Sequence, residues 1–125
     1  MPVSQPFVLP KLEITPNVGS TPTKIFGSQH ACFIDSVSLC NTTDGDIFFD
    51  IKIIGEREEN NILVLKEAFH SRKRLLKANE TIELELGSIK SPESGDLLFA
   101  NSDFSGNNFD VLVSYRELNE VPLNV

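Results

Sequence analysis

Beyond Pro22 the apolar residues of this chain recur at every second position, and Asn, Asp, Gly and Ser interrupt them roughly every eight to twelve residues. A helix buries one face through a 3.6-residue spacing, whereas a strand alternates its side chains between two faces. Period two repeated along the chain therefore demands sheets, and sheets with one apolar face must stack on one another. The expected class is all-β: a single β-sandwich or jelly-roll-like domain of about eight antiparallel strands, over residues 23–125.

Individual segments follow from the same rule. Between Ala31 and Asn41, Phe33, Val37 and Leu39 alternate with Cys32, Ile34 and Cys40, so this strand is apolar on both faces and belongs inside a sheet. Asn41-Thr42-Thr43-Asp44-Gly45-Asp46 carries turn chemistry with Asp-Gly at its centre, and Ile47, Phe49, Ile51 and Ile53 resume the alternation. The two segments are expected to form a hairpin. Gly55 to Asn61 reads as a polar loop before Ile62–Leu65, and Thr81–Leu86 as a half-exposed strand with Glu83 and Glu85 facing water. Further strands are expected at Leu97–Ala100 and Phe109–Leu118, separated by a polar loop at 101–108. Lys66 to Ala78 alone is open to a helical reading, because Lys, Glu, Ala, Arg and Leu dominate it.

Residues 1–22 carry five of the seven prolines, at Pro2, Pro6, Pro10, Pro16 and Pro22. Such spacing breaks helices and central strands, so this segment reads as an extended arm outside the sandwich, able to span about 70 Å. Phe7, Val8, Leu9, Leu12 and Ile14 are too apolar for a solvated tail and are expected to pack against a partner.

Charge and length narrow the classes of function. A 125-residue chain buries roughly two-thirds of its unfolded surface, enough to fold without a metal or disulfide. The formal net charge of −7 opposes general nucleic-acid binding and anchoring to anionic membranes. No stretch reaches the roughly 18 apolar residues of a membrane helix, and the first ten residues do not read as a signal peptide. Cys32 and Cys40, on one strand, would lie about 26 Å apart and so are expected to be unpaired thiols.

Chemistry-bearing patterns are sparse. His30 and His70 sit in no nucleophile motif, Cys-x-x-Cys and His-Glu-x-x-His are absent, and so are the glycine-rich phosphate loops. No catalytic residue, metal ligand or cofactor is therefore assigned. Asp44, Asp46 and Asp50, and the group Asp103, Asn107, Asn108 and Asp110, are oxygen-rich, but turn chemistry accounts for such residues. His70-Ser71-Arg72-Lys73-Arg74 is the one basic run; its Arg72, Lys73 and Arg74 are candidates for contact with an acidic surface.

The order of features over residues 22–118 resembles small β-sandwich virion proteins of tailed bacteriophages. The resemblance rests on Ser36–Cys40 closing on Asn41-Thr42-Thr43, the partner segment Ile47–Ile53, Asn79–Leu84, Gly95-Asp96-Leu97 opening a strand, and Asp110–Glu117 closing the sandwich. It implies a non-enzymatic structural subunit of a tail, neck or capsid, located in the virion, assembled in the host cytoplasm and docked on other virion proteins. Symmetry adds the expectation of a homo-oligomer. The rival reading is a carbohydrate-binding sandwich, for which an aromatic shelf beside the 101–108 loop would be the sign; the absence of Trp and the single Tyr weigh against it.

Overall fold

The computed structural model describes residues 3–27, 32–84, 95–104, 106 and 108–123, with side chains described from Pro10 to Glu117. Eight strands appear in chain order: β1 (Val3–Val18), β2 (Thr23–Gly27), β3 (Cys32–Asn41), β4 (Ile47–Glu59), β5 (Ile62–Leu76), β6 (Thr81–Leu84), β7 (Leu97–Ser102) and β8 (Phe109–Leu123). They form two four-stranded antiparallel sheets, ordered β1-β8-β3-β6 and β2-β7-β4-β5. That order is the double Greek key of a jelly roll, in which every connection but β4–β5 crosses between the two layers. The all-β class expected from the alternation is the class observed. Among the described residues, no helix is long and apolar enough to cross a membrane.

Inward side chains of both sheets share one core. Phe26, Phe49, Phe109, Ile25, Ile34, Leu39, Ile47, Ile51, Leu76 and Leu98 are fully buried, each contributing about 1.5–3 kcal/mol through removal from water. The rings interlock across the layers: Phe26 of β2 meets Tyr115 of β8 edge-on with centroids 4.8 Å apart, and Phe49 of β4 lies 6.3 Å from Phe109 of β8.

Several local expectations are corrected. Residues 3–18 are a strand of the sandwich itself, paired with β8 from Val3↔Leu123 to Thr15↔Val111 without interruption. The prolines fit because β1 lies at the sheet edge, where alternate residues turn their missing N–H away from the partner; Pro6 and Pro10, four apart, turn the same way. β3 and β4 do not form a hairpin: they lie in different sheets, and the turn at 41–46 carries the chain from one layer to the other. Gly55 to Glu59 is not a loop but the end of β4, and the actual turn is Asn60-Asn61, with φ of 50° and 64° at its two residues. Asn tolerates that left-handed backbone, and two such residues in succession give the turn whose twist suits a hairpin. Lys66–Leu76 is strand, not helix, because pairing with β4 overrides a weak local propensity. Glu83 is exposed on β6, and Glu85 and Leu86 lie outside the described residues.

Within β3 the pairing with β8 slips between Ile34 and Ser36. This bulge at Asp35 shifts the alternation by one, so Cys32, Ile34, Val37 and Leu39 are all buried while Phe33 points outward. Both cysteines are free thiols on this one strand.

Candidate functional site

The sandwich carries two outward apolar surfaces, one on each sheet. On the first, β1 and β8 pair Ile14 with Leu112 and Leu12 with Ser114, and Leu12, Ile14 and Leu112 all face water. Beside them Ile14, Pro16, Ser38, Cys40, Thr81, Asp110 and Leu112 line a shallow cavity of ≈ 190 Å³ with mainly apolar walls. The expected docking residues Leu12 and Ile14 are thus exposed on a sheet face; the side chains of Phe7, Val8 and Leu9 lie outside those described.

The second surface comes from unequal strand lengths. β7 pairs with β4 only between Phe49 and Ile54, whereas the β4–β5 pairing runs on to Glu59↔Ile62. Beyond Ile54 the two strands therefore project as a two-stranded ribbon. On its β5 side Ile62, Leu63 and Leu65 are exposed, and its β4 side offers Glu56, Glu58 and Glu59. An ion pair of 2.5 Å joins Lys66 to Glu59 across the ribbon, and a 3.6 Å pair joins Lys52 to Glu67.

The ribbon's root is held by a forked contact. Arg57 donates from both terminal nitrogens to Asp96, at 2.9 Å to Oδ1 and 3.0 Å to Oδ2, and the Asp96 side chain is only 3% exposed. Gly55 makes room for it: a Cβ there would collide with Asp96 Oδ1. A desolvated carboxylate gripped by a planar guanidinium keeps this geometry tightly specified.

The basic run lies on β5 and is exposed at Arg72, Lys73 and Arg74. Arg72 and Lys52 both stand over the Phe69 ring, at 5.1 and 5.5 Å from its centroid. Lys73 has a φ of 49° and donates its backbone N–H to Asp50 Oδ1 at 2.7 Å, within the irregular stretch where β5 slips against β4. These residues are on the edge strand of the second sheet, apart from Leu12 and Ile14 on the edge strand of the first.

Five of the oxygen-rich candidates, Asp46, Asp50, Asp103, Asn108 and Asp110, are occupied with the fold. Asp46 accepts from the Ala78 N–H, Asp103 from Phe48, and Asp110 from Asn17; Asp50 also accepts from the Asn101 side chain. Asn108 donates to Ser102 Oγ and the Phe104 carbonyl, and Asn107 lies outside the described residues. Among the described residues, no three His, Cys, Asp or Glu side chains gather as a metal site. His70 Nδ1 lies 3.0 Å from Ser71 Oγ on β5, and His30 is outside the described residues.

An aromatic shelf does stand beside the 101–108 loop. Phe48 is exposed next to its cross-strand neighbour Leu75, and with Lys73 and Asp103 it lines an open concavity of ≈ 290 Å³. Sequence reading missed the projecting ribbon and this shelf, since both depend on which strands pair. The sole tyrosine is buried: desolvation raises the Tyr115 pKa, and the charges of Glu13 and Glu117 and nearby Cys32 push the same way. No protein-family model and no curated protein matches this chain.

Proposed function

We propose that this chain is a non-enzymatic structural subunit of a bacteriophage virion, docking on neighbouring virion subunits through the outer face of β1 and the edge of β5. The observation that supports the reading is the outward patch of Leu12, Ile14 and Leu112 on a jelly-roll sheet. The same topology serves viral capsids, and gathered apolar side chains facing water mark protein contacts rather than a fold's own needs. The reading assigns the protein to the virion, with assembly in the host cytoplasm and no cofactor, nucleic acid or membrane as partner. The test is Leu12→Lys combined with Ile14→Lys. Both positions are exposed, so the melting temperature stays within a few degrees of wild type, and incorporation into particles falls sharply. Incorporation at the wild-type level would overturn the docking role of this face.

A second reading, carbohydrate binding, draws support from the Phe48 shelf. Sugars stack their C–H faces on exposed rings, and Lys73 with Asp103 supplies polar groups at its rim. Screening the purified protein against immobilised glycans, with Phe48→Ala as the comparison, tests it: binding that the variant loses supports this reading, and no binding removes it.

A further inference from the structure

The outer face of the second sheet carries a row of side chains that crosses all four of its strands. Lys24 of β2 lies opposite Phe99 of β7, Phe99 opposite Lys52 of β4, and Lys52 opposite Phe69 of β5. Cation and ring therefore alternate from strand to strand. The row faces away from the core: Ile25, Leu98, Ala100 and Ile51 beside it in the chain are buried, whereas Lys24 and Phe69 are exposed and Lys52 and Phe99 half-buried. Arg72 joins the β5 end, standing with Lys52 over the Phe69 ring. Among the described residues no cation stands over Phe99, so its ring is open to a further contact.

We propose that this row binds an acidic polysaccharide in which charged and neutral sugars alternate, a binding activity added to the docking role and separate from the Phe48 shelf. Neighbouring strands lie about 4.8 Å apart, which sets Lys24 and Lys52 about 10 Å apart with Phe99 midway. A polysaccharide with an acid on every second sugar repeats its charge once per disaccharide, a step of the same length. One carboxylate then meets Lys24, the next meets Lys52 and Arg72, and the neutral sugar between them lays its C–H face on Phe99.

The spacing favours this occupant over other anionic chains. An extended peptide brings side chains to one face about every 6.7 Å, out of step with the row, and a nucleic acid carries a charge at every nucleotide with no neutral unit to set on the ring. Nearby acids leave the cations available. Asp50 accepts from the Lys73 N–H and the Asn101 amide, and Glu67 meets Lys52 at 3.6 Å in a pair that is half open to water and so worth little. The net charge of −7 acts on an approaching anion only within the screening length of about 10 Å, so the side chains of the row decide contact.

The experiment titrates isotope-labelled full-length protein with a hyaluronan octasaccharide, in which a uronic acid alternates with an N-acetylated amino sugar, and follows the amides by NMR. Shift changes are expected to centre on Lys24, Phe99, Lys52 and Phe69. Lys24→Gln combined with Lys52→Gln is expected to weaken binding at least tenfold with the melting curve retained, and Glu67→Gln, which releases Lys52, to strengthen it. A neutral chitin octasaccharide and a thymidine oligonucleotide are expected to leave the row unshifted. No change at about 1 mM hyaluronan, equal binding of the neutral or the nucleotide chain to the row, or binding that the double variant retains would each overturn the proposal. Phe48→Ala is expected to leave hyaluronan binding unchanged; its loss in that variant would place the sugar on the shelf and overturn the assignment to the row. These outcomes are read without particles, so they are independent of the incorporation test of the β1 face.

Discussion

Asn41 has a buried amide that ties three segments together. Its Nδ2 donates to the carbonyls of Gly45 at 2.9 Å and Leu76 at 3.0 Å, and its Oδ1 accepts from the N–H and hydroxyl of Thr43 at 2.9 and 2.7 Å. The side chain thus fixes the turn that carries the chain between the sheets and pins that turn to the end of β5. Asn41→Ala leaves buried partners unsatisfied and is expected to cost about 2–4 kcal/mol in a denaturant melt. Asn41→Asp is expected to cost more at neutral pH, since a carboxylate has no proton to offer the two carbonyls. The turn composition of 41–46 was legible in the sequence; its destination was not, because Asn-Thr-Thr-Asp-Gly suits a hairpin and a crossing equally well. Tyr115 supplies a residue-scale test in pH. Its folded pKa is raised, so its contribution to stability is complete below the unfolded value near 10 and is lost as pH rises through the folded value. Tyr115→Phe is expected to flatten the part of the alkaline decline that begins above about pH 10, measured by thermal melts across that range.

At the scale of elements, β1 separates what a pattern can tell from what only pairing decides. Pro6, Pro10 and Pro16 argued against a strand, and a central strand would indeed exclude them. An edge accepts them, and edge position depends on β8, some hundred residues away in the chain. β5 misled in the opposite sense, since Lys66–Leu76 has the composition of a helix and gains its strand conformation from β4. Gly55–Glu59 is polar because it lies in a ribbon with little core to cover. The expected docking residues Leu12 and Ile14 were legible as too apolar for a tail, and they remain exposed, but on a strand of the fold. Deleting residues 1–20 would therefore remove one of the two strands paired with β8 together with Val18, which is 1% exposed in the core. The truncated chain is expected to lose the cooperative thermal transition seen by circular dichroism. Retention of a sharp transition would show that β1 adds little to the sandwich.

At the scale of the molecule, each sheet is open to water on one face and shares its other face with its neighbour, so neither has a core of its own. Phe26 with Tyr115 and Phe49 with Phe109 are contacts between the layers, and a sheet that separated would expose both pairs together. The alternation announced this arrangement, since strands with one apolar face must find another layer. The strand order was beyond it, because β1 with β8 and β3 with β8 are pairings that no local pattern encodes. Unfolding is accordingly expected to be a single transition. Tyr115 emission reports on the interface between the sheets, whereas circular dichroism reports on the strands throughout, and in urea the two curves are expected to coincide. The measurement belongs at low protein concentration, where association between copies could not add to stability. Separate midpoints would mean that one sheet persists without the other. The projecting part of the ribbon, from Gly55 to Lys66, should be set apart from that cooperative unit: its amides are expected to exchange with solvent well before those of β3 and β8, because its backbone bonds are exposed and few buried side chains cover them.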